Sequence, residues 1–533
     1  MFHNNILLIL SLLFAVSMLY ILSKKINISY PILLVIAGLI IGFMPGMPHV
    51  ELDPDIVFLI FLPPILYAAA WNTSWRDFWA NRRPISLLAF GLVFFTSTAV
   101  AFISNAIIPN FPLAYGFLLG GIISPPDAVA ATSIIQGLKI PKRIVTILEG
   151  ESLINDASSL IVFRFSLAAI LTGMFSFGKA TGNFFVVAGL GVLIGVAIAF
   201  IIYWIHRLLP TDASTDTALT LISPYIMYLV AEEFHTSGVM AVVSGGLFLS
   251  YRSHIIFPYN TRLQAYSVWN VFIYLLNGLV FILIGLQLPG IVNGVESSPI
   301  SIYQAILYGV IISIVTILVR VIWVFSGPFI SRIKAASSSQ QQNLSKRQLF
   351  LIAWSGMRGV VSLASALAIP LTLSDGSTFP HRDLILFITF VVIFITLVLQ
   401  GLTLPFVIRK LKIREDNVEK EEELDLAIRL QMADAVIDYM KLNYAGEVEN
   451  NEAYKRVFER YERMAENTYR RIIEGENGGA DFLKDYRRML RELVHVKRMA
   501  LRRLAREDMY SFEMIREKEW ELDLEEARLD ESN

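Results

Sequence analysis

The sequence lacks cysteine altogether, and histidine is scarce. Among its 533 residues there are no cysteines and seven histidines. The absence of cysteine excludes disulfide bonds, cysteine-ligated zinc and thiol catalysis. The histidines are scattered and form no HExxH motif, so a histidine metal site is not expected either. The C-terminal part also has no glycine-rich phosphate loop, and we expect no cofactor.

Charged residues are also scarce, and they are unevenly distributed. Only 17% of the residues are charged, 55% are hydrophobic, and the mean hydropathy is +0.57. Ordinary soluble proteins of this length do not have that composition, which indicates several membrane spans. Residues 1–410 are predicted to form a transmembrane domain. Residues 411–533 are highly charged and net acidic, and they predict a cytosolic helical tail that regulates the protein or stabilises a dimer.

Long apolar runs predict about thirteen membrane-spanning helices, because about 20 apolar residues are needed to cross the hydrocarbon of a bilayer. The chain is therefore assigned to the all-α polytopic class. The first run has no basic segment before it and no small-residue cleavage site, so we interpret it as a span and not as a cleaved signal peptide. The predicted spans are residues 5–23, 30–46, 55–71, 85–108, 112–137, 144–171, 182–206, 214–232, 236–251, 267–289, 301–327, 349–371 and 383–408.

Basic residues concentrate in alternate loops. The loops after odd-numbered spans carry almost all of them, including Lys24, Arg76, Arg143, Arg252 and Lys346, whereas the other loops carry only Lys179 and Arg382. The positive-inside rule assigns the basic loops to the cytoplasm. The N-terminus is then predicted outside and the C-terminus inside, in a plasma membrane such as the inner membrane of a bacterium. The acidic tail disfavours nucleic acid as a partner.

Two predicted spans carry helix breakers near their middle. Residues 124–127 in span 5 read Ser-Pro-Pro-Asp, and residues 355–359 in span 12 read Ser-Gly-Met-Arg-Gly. Each should break a helix, and Asp127 would lie at the start of a half-helix. The two spans occupy matching places in two halves of six spans and run in opposite directions, which indicates inverted repeats with two broken crossing helices.

Span 6 carries a polar stripe that is costly inside a membrane. Ser152, Asn155, Asp156 and Ser159 follow i, i+3, i+4, i+7 spacing and share one helix face. Asp156 lies about 18 Å into the span, level with the break in span 5. Burial disfavours the ionised form of a carboxyl group, so this one could bind either a proton or a cation. Ser152, Asn155 and the chain around Asp127 could supply further oxygen ligands, which predicts exchange of one cation for one proton.

The remaining buried charges need partners in a low-dielectric environment. We expect Glu151 to pair with Arg358 as a structural ion pair between spans 6 and 12. Arg320 could pair with Glu149 or Asp127, or it could stay near the ion cavity as a fixed positive charge. Glu149 is left as a possible accessory group at the entry to the site.

Two other classes of function are alternatives to an antiporter. A cation channel, or an ion or pH sensor on a transporter scaffold, is the main alternative. A channel would favour rings of polar residues along a continuous wet path, whereas the polar residues here concentrate at two breaks and one stripe. A membrane enzyme is disfavoured, because the spans contain no evident nucleophile–base pair or metal cluster.

At these residues the chain resembles the monovalent cation:proton antiporters of the NhaP/NHE type. Residues 151–156 resemble the ESxxND motif of that family, residues 355–359 its G-x-R-G segment, and residues 61–66 its FLPP stretch. The resemblance implies a thirteen-span inverted-repeat fold, a homodimer in the lipid bilayer and an elevator-like core of spans 4–6 and 11–13. It also implies that Asp156 carries Na⁺ (or Li⁺ or K⁺) and H⁺ in sodium transport and pH homeostasis.

The chain departs from the family pattern at two places. Ala68 stands where members often have an acid after the Pro-Pro pair, so an acidic contribution from span 3 is in doubt. The break in span 5 has Pro126 before Asp127 where many members have threonine. A threonine hydroxyl therefore cannot be a ligand there, and both departures could alter ion preference.

Overall fold

The computed structural model divides into two units, Met1–Arg414 and Glu415–Asn533. In the described part of the chain every regular element is helical, apart from an isolated β-bridge between Thr372 and Thr378. This confirms the all-α class. The structure describes residues 2–26, 28–44, 54–135, 140–173, 177–209, 211–296, 300–334, 344–373, 376–411, 413, 418–474, 480–504 and 512–530.

The described residues of the first unit form helices α1 to α19, and two π-helical segments join α5 to α6 and α18 to α19. The π-helical segments are Leu87–Leu92 and Thr396–Gln400. The α-helices are α1 (Phe2–Ile26), α2 (Tyr30–Gly42), α3 (Pro54–Asn72), α4 (Trp75–Ala80), α5 (Arg82–Ser86), α6 (Val93–Ile107), α7 (Leu113–Ile123), α8 (Ala128–Ile135), α9 (Lys142–Thr172), α10 (Phe177–Leu208), α11 (Ala213–Glu233), α12 (Gly238–Ile256), α13 (Tyr259–Leu286), α14 (Leu288–Glu296), α15 (Ile302–Lys334), α16 (Lys346–Trp354), α17 (Val360–Leu367), α18 (Arg382–Ile395) and α19 (Gly401–Leu411).

Each predicted span coincides with one helix or with consecutive helices. In the described part of the chain, nine helical segments are long and apolar enough to cross a membrane. Tyr30–Gly42 and Leu59–Asn72 are shorter apolar helices. The molecule is therefore a multi-pass membrane protein. The number of spans and the sidedness of the termini stay predictions.

The helices of the first unit form two groups by their contacts. Helices α5–α9 and α15–α19 pack mainly on one another, and we call them the crossing bundle. Helices α1–α3 and α10–α13 form the flanking bundle. The two bundles meet chiefly where α9 and α17 contact α3, α12 and α13. Helix α9, which carries the polar stripe, thus touches both groups.

Two helices of the crossing bundle are broken at the places that the sequence indicates. Helix α7 ends at Ile123 and α8 begins at Ala128, because Pro125 and Pro126 cannot donate backbone hydrogen bonds. Helix α16 ends at Trp354, and α17 begins at Val360. The two broken helices are thereby confirmed. Their unwound segments meet, as described below.

The second unit is built from helical pairs. Its described helices are α20 (Val418–Asn443), α21 (Ala445–Asn450), α22 (Glu452–Glu474), α23 (Ala480–Leu504) and α24 (Phe512–Asp530). Helix α20 packs against α22, and α23 packs against α24. The boundary between the units lies close to residue 410, where the sequence predicts the change of composition.

Candidate ion-binding site at the crossing of two broken helices

The unwound segments of the two broken helices are joined by their backbones. The amide of Asp127 donates a hydrogen bond to the carbonyl of Met357 over 2.7 Å. Unwound backbone at membrane depth is tolerated only where protein or a wet cavity satisfies it. The crossing satisfies part of it internally, and it brings the half-buried Asp127 into contact with the residue before the fully buried Arg358.

The Asp127 carboxylate lies at the N-termini of two half-helices. Its Oδ1 accepts a hydrogen bond of 2.8 Å from the amide of Val129 in the first turn of α8. The amide of Val360, the first residue of α17, also approaches this carboxylate. Gly359 has no side chain to keep Asp127 away, and a Cβ there would collide with Oδ2. A negative charge at two helix N-termini is stabilised by both helix dipoles.

Arg358 lies at a helix C-terminus of the crossing, where the helix dipole is negative. Its Nη1 donates to the carbonyl of Ser124, where α7 ends, and its backbone amide donates to Thr396 Oγ1 over 3.1 Å. A positive charge beside a helix C-terminus is favourable. The side chain is fully buried, and its Nε and Nη2 have no hydrogen-bond partner among the described residues. Asp127 and Arg358 together offset the partial charges of the helix ends that meet at the crossing.

Two side chains of the polar stripe connect α9 to the broken helix α7–α8. Asn155 Nδ2 donates to the carbonyl of Pro126 over 3.1 Å, and Ser152 Oγ accepts from the amide of Ala128 over 3.3 Å. The structure thus brings Ser152, Asn155 and Asp127 together, as the sequence indicates. The buried Asn155 Oδ1 has no partner within the described part of the chain. It is an oxygen acceptor that a cation could use.

Asp156 is buried, and its carboxylate has no partner in the part of the chain that the structure describes. The residue is only 6% exposed, and among the described residues no hydrogen bond or ion pair reaches its carboxylate. Asp127 is close enough for the two negative charges to repel each other. An unpaired ionised carboxylate in such surroundings costs several kcal/mol or more. Its charge is therefore expected to be balanced by a proton or by a bound cation.

Glu151 has a different partner from the one we expected. Its two carboxylate oxygens accept hydrogen bonds from Nη1 and Nη2 of Arg320 in α15, the second over 2.8 Å, and both side chains are 1% exposed. Arg320 also donates to the carbonyl of Ile352 in α16. The predicted Glu151–Arg358 pair was wrong, because Arg358 is turned toward the end of α7.

The two pairings considered for Arg320, with Glu149 or with Asp127, were also wrong, because its partner is Glu151. A place near the ion cavity stays a prediction. Gly356 leaves room for the Arg320 side chain, because a Cβ at residue 356 would collide with it. Glu149 is half-buried, and no hydrogen bond or ion pair in the described ranges involves it. Its accessory role stays a prediction.

Sequence reasoning missed the contacts that stabilise the π-helical segment Leu87–Leu92. Trp323 Nε1 donates to the carbonyl of Leu87, and Ser158 Oγ donates to the carbonyl of Ala89. A π-helical turn leaves carbonyls without their usual partners. Nothing in the spacing of the residues signals these pairings. They attach α9 and α15 to the helix that includes this segment.

The fold and the crossing define a membrane protein of the secondary-transporter class, in which broken helices meet around a buried ionisable group. The chain belongs to the sodium/hydrogen exchanger family. The family model described as "Sodium/hydrogen exchanger, transmembrane" matches residues 10–410. This confirms the family that the motifs indicated.

Relatives and a solved structure agree with this assignment. The chain is 35% identical over 419 residues to the sodium, potassium, lithium and rubidium/H(+) antiporter of Bacillus pumilus, a match that covers 76% of this chain but only 60% of that relative. It is 31% identical over 529 residues to the uncharacterized Na(+)/H(+) exchanger YjcE of Escherichia coli, with 95% of both chains covered. The structure of the sodium proton antiporter MjNhaP1 from Methanocaldococcus jannaschii matches with a TM-score of 0.61 at 20% identity, covering 77% of this chain and 99% of that one. At that identity the likeness concerns the fold.

Proposed function

We propose that this protein exchanges a monovalent cation for protons across a membrane, and that Asp156 is the group that carries both. The observation behind the proposal is that Asp156 is buried beside the crossing with no partner in the described chain. The buried Glu151, by contrast, is neutralised by Arg320. A carboxylate without a fixed counter-charge can alternate between H⁺ and a cation, which is the chemical core of antiport.

Candidate oxygen ligands for a hard cation lie near Asp156, on the polar stripe of α9 and at the break between α7 and α8. Hard monovalent ions prefer oxygen donors that replace their hydration shell. Asn155 Oδ1 is unpaired among the described residues, and Ser152 and Asp127 line the same break. The names of relatives favour Na⁺, with Li⁺ and K⁺ as further substrates. Ala68 and Pro126 supply neither an acid nor a hydroxyl, so the proposed ligand set consists of residues of α9 and of Asp127, which precedes α8.

We infer an electroneutral exchange of one cation for one proton. Asn155 is neutral, and the charges of Glu151 and Arg320 cancel. The charges of Asp127 and Arg358 are held at helix ends, where they offset helix dipoles. Asp156 is then the one group at the site whose charge is free to change. When it exchanges H⁺ for a monovalent cation, the loaded site is neutral in both cases.

Alternating access is proposed to occur by an elevator-like movement of the crossing bundle against the flanking bundle. The contact between α17 and the flanking helices is formed by apolar side chains, which can slide without breaking hydrogen bonds. Those lining the contact are Phe61, Val280, Leu283, Ile284, Val360, Leu363, Ala364 and Leu367. This supports a sliding movement that carries Asp156 from one side to the other.

The setting of the protein is also a proposal. The basic loops favour an N-terminus outside and a C-terminal tail in the cytoplasm of a bacterial inner membrane. The family resemblance favours a homodimer. We infer that the tail regulates exchange or strengthens that dimer, since its described part is a separate helical unit.

Everted membrane vesicles that contain the protein test this function. Respiration acidifies the lumen and quenches a pH-sensitive dye, and addition of Na⁺, Li⁺ or K⁺ should restore the fluorescence. The rate should not change when a permeant anion such as thiocyanate is used to collapse the membrane potential during Na⁺ exchange, because no net charge moves. A cation-dependent current without proton movement would indicate a channel and would contradict antiport. A rate that depends on voltage would contradict the proposed stoichiometry alone.

A further inference from the structure

Helix α20 of the second unit has apolar side chains on two opposite faces. On one face Ala433 and Ile437 are buried in a small cluster, with Leu430 packed against it. Residues of α22 complete this cluster, among them Phe458 and Ala465. This face is already used by the fold of the tail.

The opposite face of α20 forms an exposed apolar stripe. We call it the α20 stripe, and its residues follow one another at intervals of four, three, four and three positions. Met432 is 66% and Leu442 is 84% exposed. The members of the stripe are Ile428, Met432, Ala435, Tyr439 and Leu442. Alternating steps of three and four are the spacing of a coiled-coil seam.

We propose that the α20 stripe pairs with the α20 stripe of a second copy of this chain. A heptad seam is complementary to another helix with the same seam, because each side chain fits between four residues of the facing helix. Two copies related by a two-fold axis would contact each other through the same patch, so the α20 stripe alone is enough to form both sides of the contact. The rest of α20 is rich in Glu and Asp. An anionic lipid surface, which attracts basic helices, is therefore a poor partner.

The size of the stripe indicates how this contact operates. Ile428 to Leu442 spans about 21 Å of helix, and five seam residues bury less than the roughly 1,200 Å² of a stable interface. The contact is therefore weak between free tails. It becomes strong when two chains are already held together, because tethering raises the effective concentration. The inference adds a second contact to the homodimer proposed above, and it does not depend on exchange activity.

The absence of cysteine from the chain allows a direct test with the full-length protein in proteoliposomes. Cysteine is introduced singly at Ile428, Met432, Tyr439 and Leu442 within the stripe. Asp434→Cys is the matched control, because Asp434 is an exposed residue of α20 outside the stripe. After mild oxidation, or treatment with a short bismaleimide, the best stripe variants should give at least about five times more covalent dimer than the control, as expected for facing seam residues.

Two outcomes would overturn the proposal. The first is that no stripe variant links, and the second is that Asp434→Cys links as efficiently as they do. Met432→Asp, combined with Leu442→Cys, should abolish the link at Leu442, because a charge in the seam opposes pairing. Each variant is also assayed for cation/proton exchange in the same proteoliposomes. Failure of every single-cysteine stripe variant to link, with exchange intact, would refute the stripe alone, whereas absence of exchange in wild type would refute the proposed function alone.

Discussion

Glu151 and Asp156 lie on the same helix, little more than one turn apart, and both are buried, yet they meet opposite surroundings. Two guanidinium nitrogens of Arg320 bind the carboxylate of Glu151. No side chain or amide in the described ranges binds the carboxylate of Asp156. A buried charge with a complete partner cannot change its protonation without a large cost, whereas one without a partner must take up a proton or a cation. On this difference we propose a structural role for Glu151 and a transport role for Asp156.

Removing one partner of the Glu151 pair should have the largest effect on stability. Glu151→Gln leaves Arg320 buried and uncompensated, which should cost about 3–5 kcal/mol of folding free energy. We expect little folded protein in the membrane and a strongly lowered thermal transition by fluorescence-detected size exclusion.

The matched control for that variant replaces both partners. Glu151→Gln/Arg320→Gln removes both charges and should be more stable than either single variant, because neither charge is left without its partner. Wild-type thermal stability of Glu151→Gln would contradict the structural role. A double variant as unstable as the sum of the singles would show that the pair does not couple.

The pairing partner of Glu151 also shows how far the sequence can predict this site. Helix breakers and the stripe spacing are local signals, so the two breaks and the meeting of Asn155 and Ser152 with the first break could be predicted. Which arginine faces Glu151 depends on where α15 lies relative to α9, and these two helices are far apart in the sequence. That depends on tertiary contacts such as the close approach of Gly356 to Arg320. The π-helical segments have no sequence signal either.

An ion pair between the two bundles offers the next largest effect. Arg164 in α9 donates to both carboxylate oxygens of Glu232 in α11. If Asp156 is carried by a moving bundle, a link at this place should stop exchange. Arg164→Cys/Glu232→Cys should exchange cations normally before treatment with a bismaleimide and lose most activity afterwards.

A link within the flanking bundle is the control for this experiment. Ser214 and Gln264 are exposed, hydrogen-bonded to each other and located on α11 and α13 of the same bundle. Ser214→Cys/Gln264→Cys should keep its exchange rate after linking. Full activity of the linked Arg164→Cys/Glu232→Cys protein would refute the sliding of the bundles while leaving the role of Asp156 untouched.

A smaller effect is expected at Asn155, which is next to the proposed carrier Asp156. Asn155→Ala leaves the carbonyl of Pro126 without its side-chain donor, which costs about 1–3 kcal/mol, and it removes one oxygen ligand. The concentration of Na⁺ at half-maximal exchange should rise about tenfold, which corresponds to 1.4 kcal/mol. Ser159→Ala is the control, because its hydroxyl donates only to the backbone carbonyl of Asp156. Equal effects of the two substitutions would refute a ligand role for Asn155.

Asp212 is an exposed carboxylate, in contrast to Glu151 and Asp156. Its substitution should have the smallest effect on stability. Asp212 caps α11, and hydrogen bonds from the hydroxyl and amide of Thr215 hold its pKa below the ordinary value. Its folded-state pKa is lowered, so its contribution is present above the unfolded pKa of about 3.9 and is lost as the pH falls through the folded value.

Asp212→Asn keeps an acceptor at this cap but removes the charge. The melting temperature should be slightly lower than that of wild type at pH 7, and the difference should shrink as the pH falls below about 4. A difference that grows on acidification would contradict this sign. Exchange rates should be equal, because Asp212 lies outside the crossing.

The central claim is that the unpaired carboxylate of Asp156 carries both ions, and Asp156→Asn tests it most directly. The amide has nearly the same shape but can neither release a proton nor balance a cation. Purified Asp156→Asn protein in proteoliposomes should melt at or above the wild-type temperature, because a buried unpaired charge has been removed. It should show no Na⁺-driven proton movement above that of protein-free vesicles. Exchange at the wild-type rate by the folded variant would contradict the mechanism.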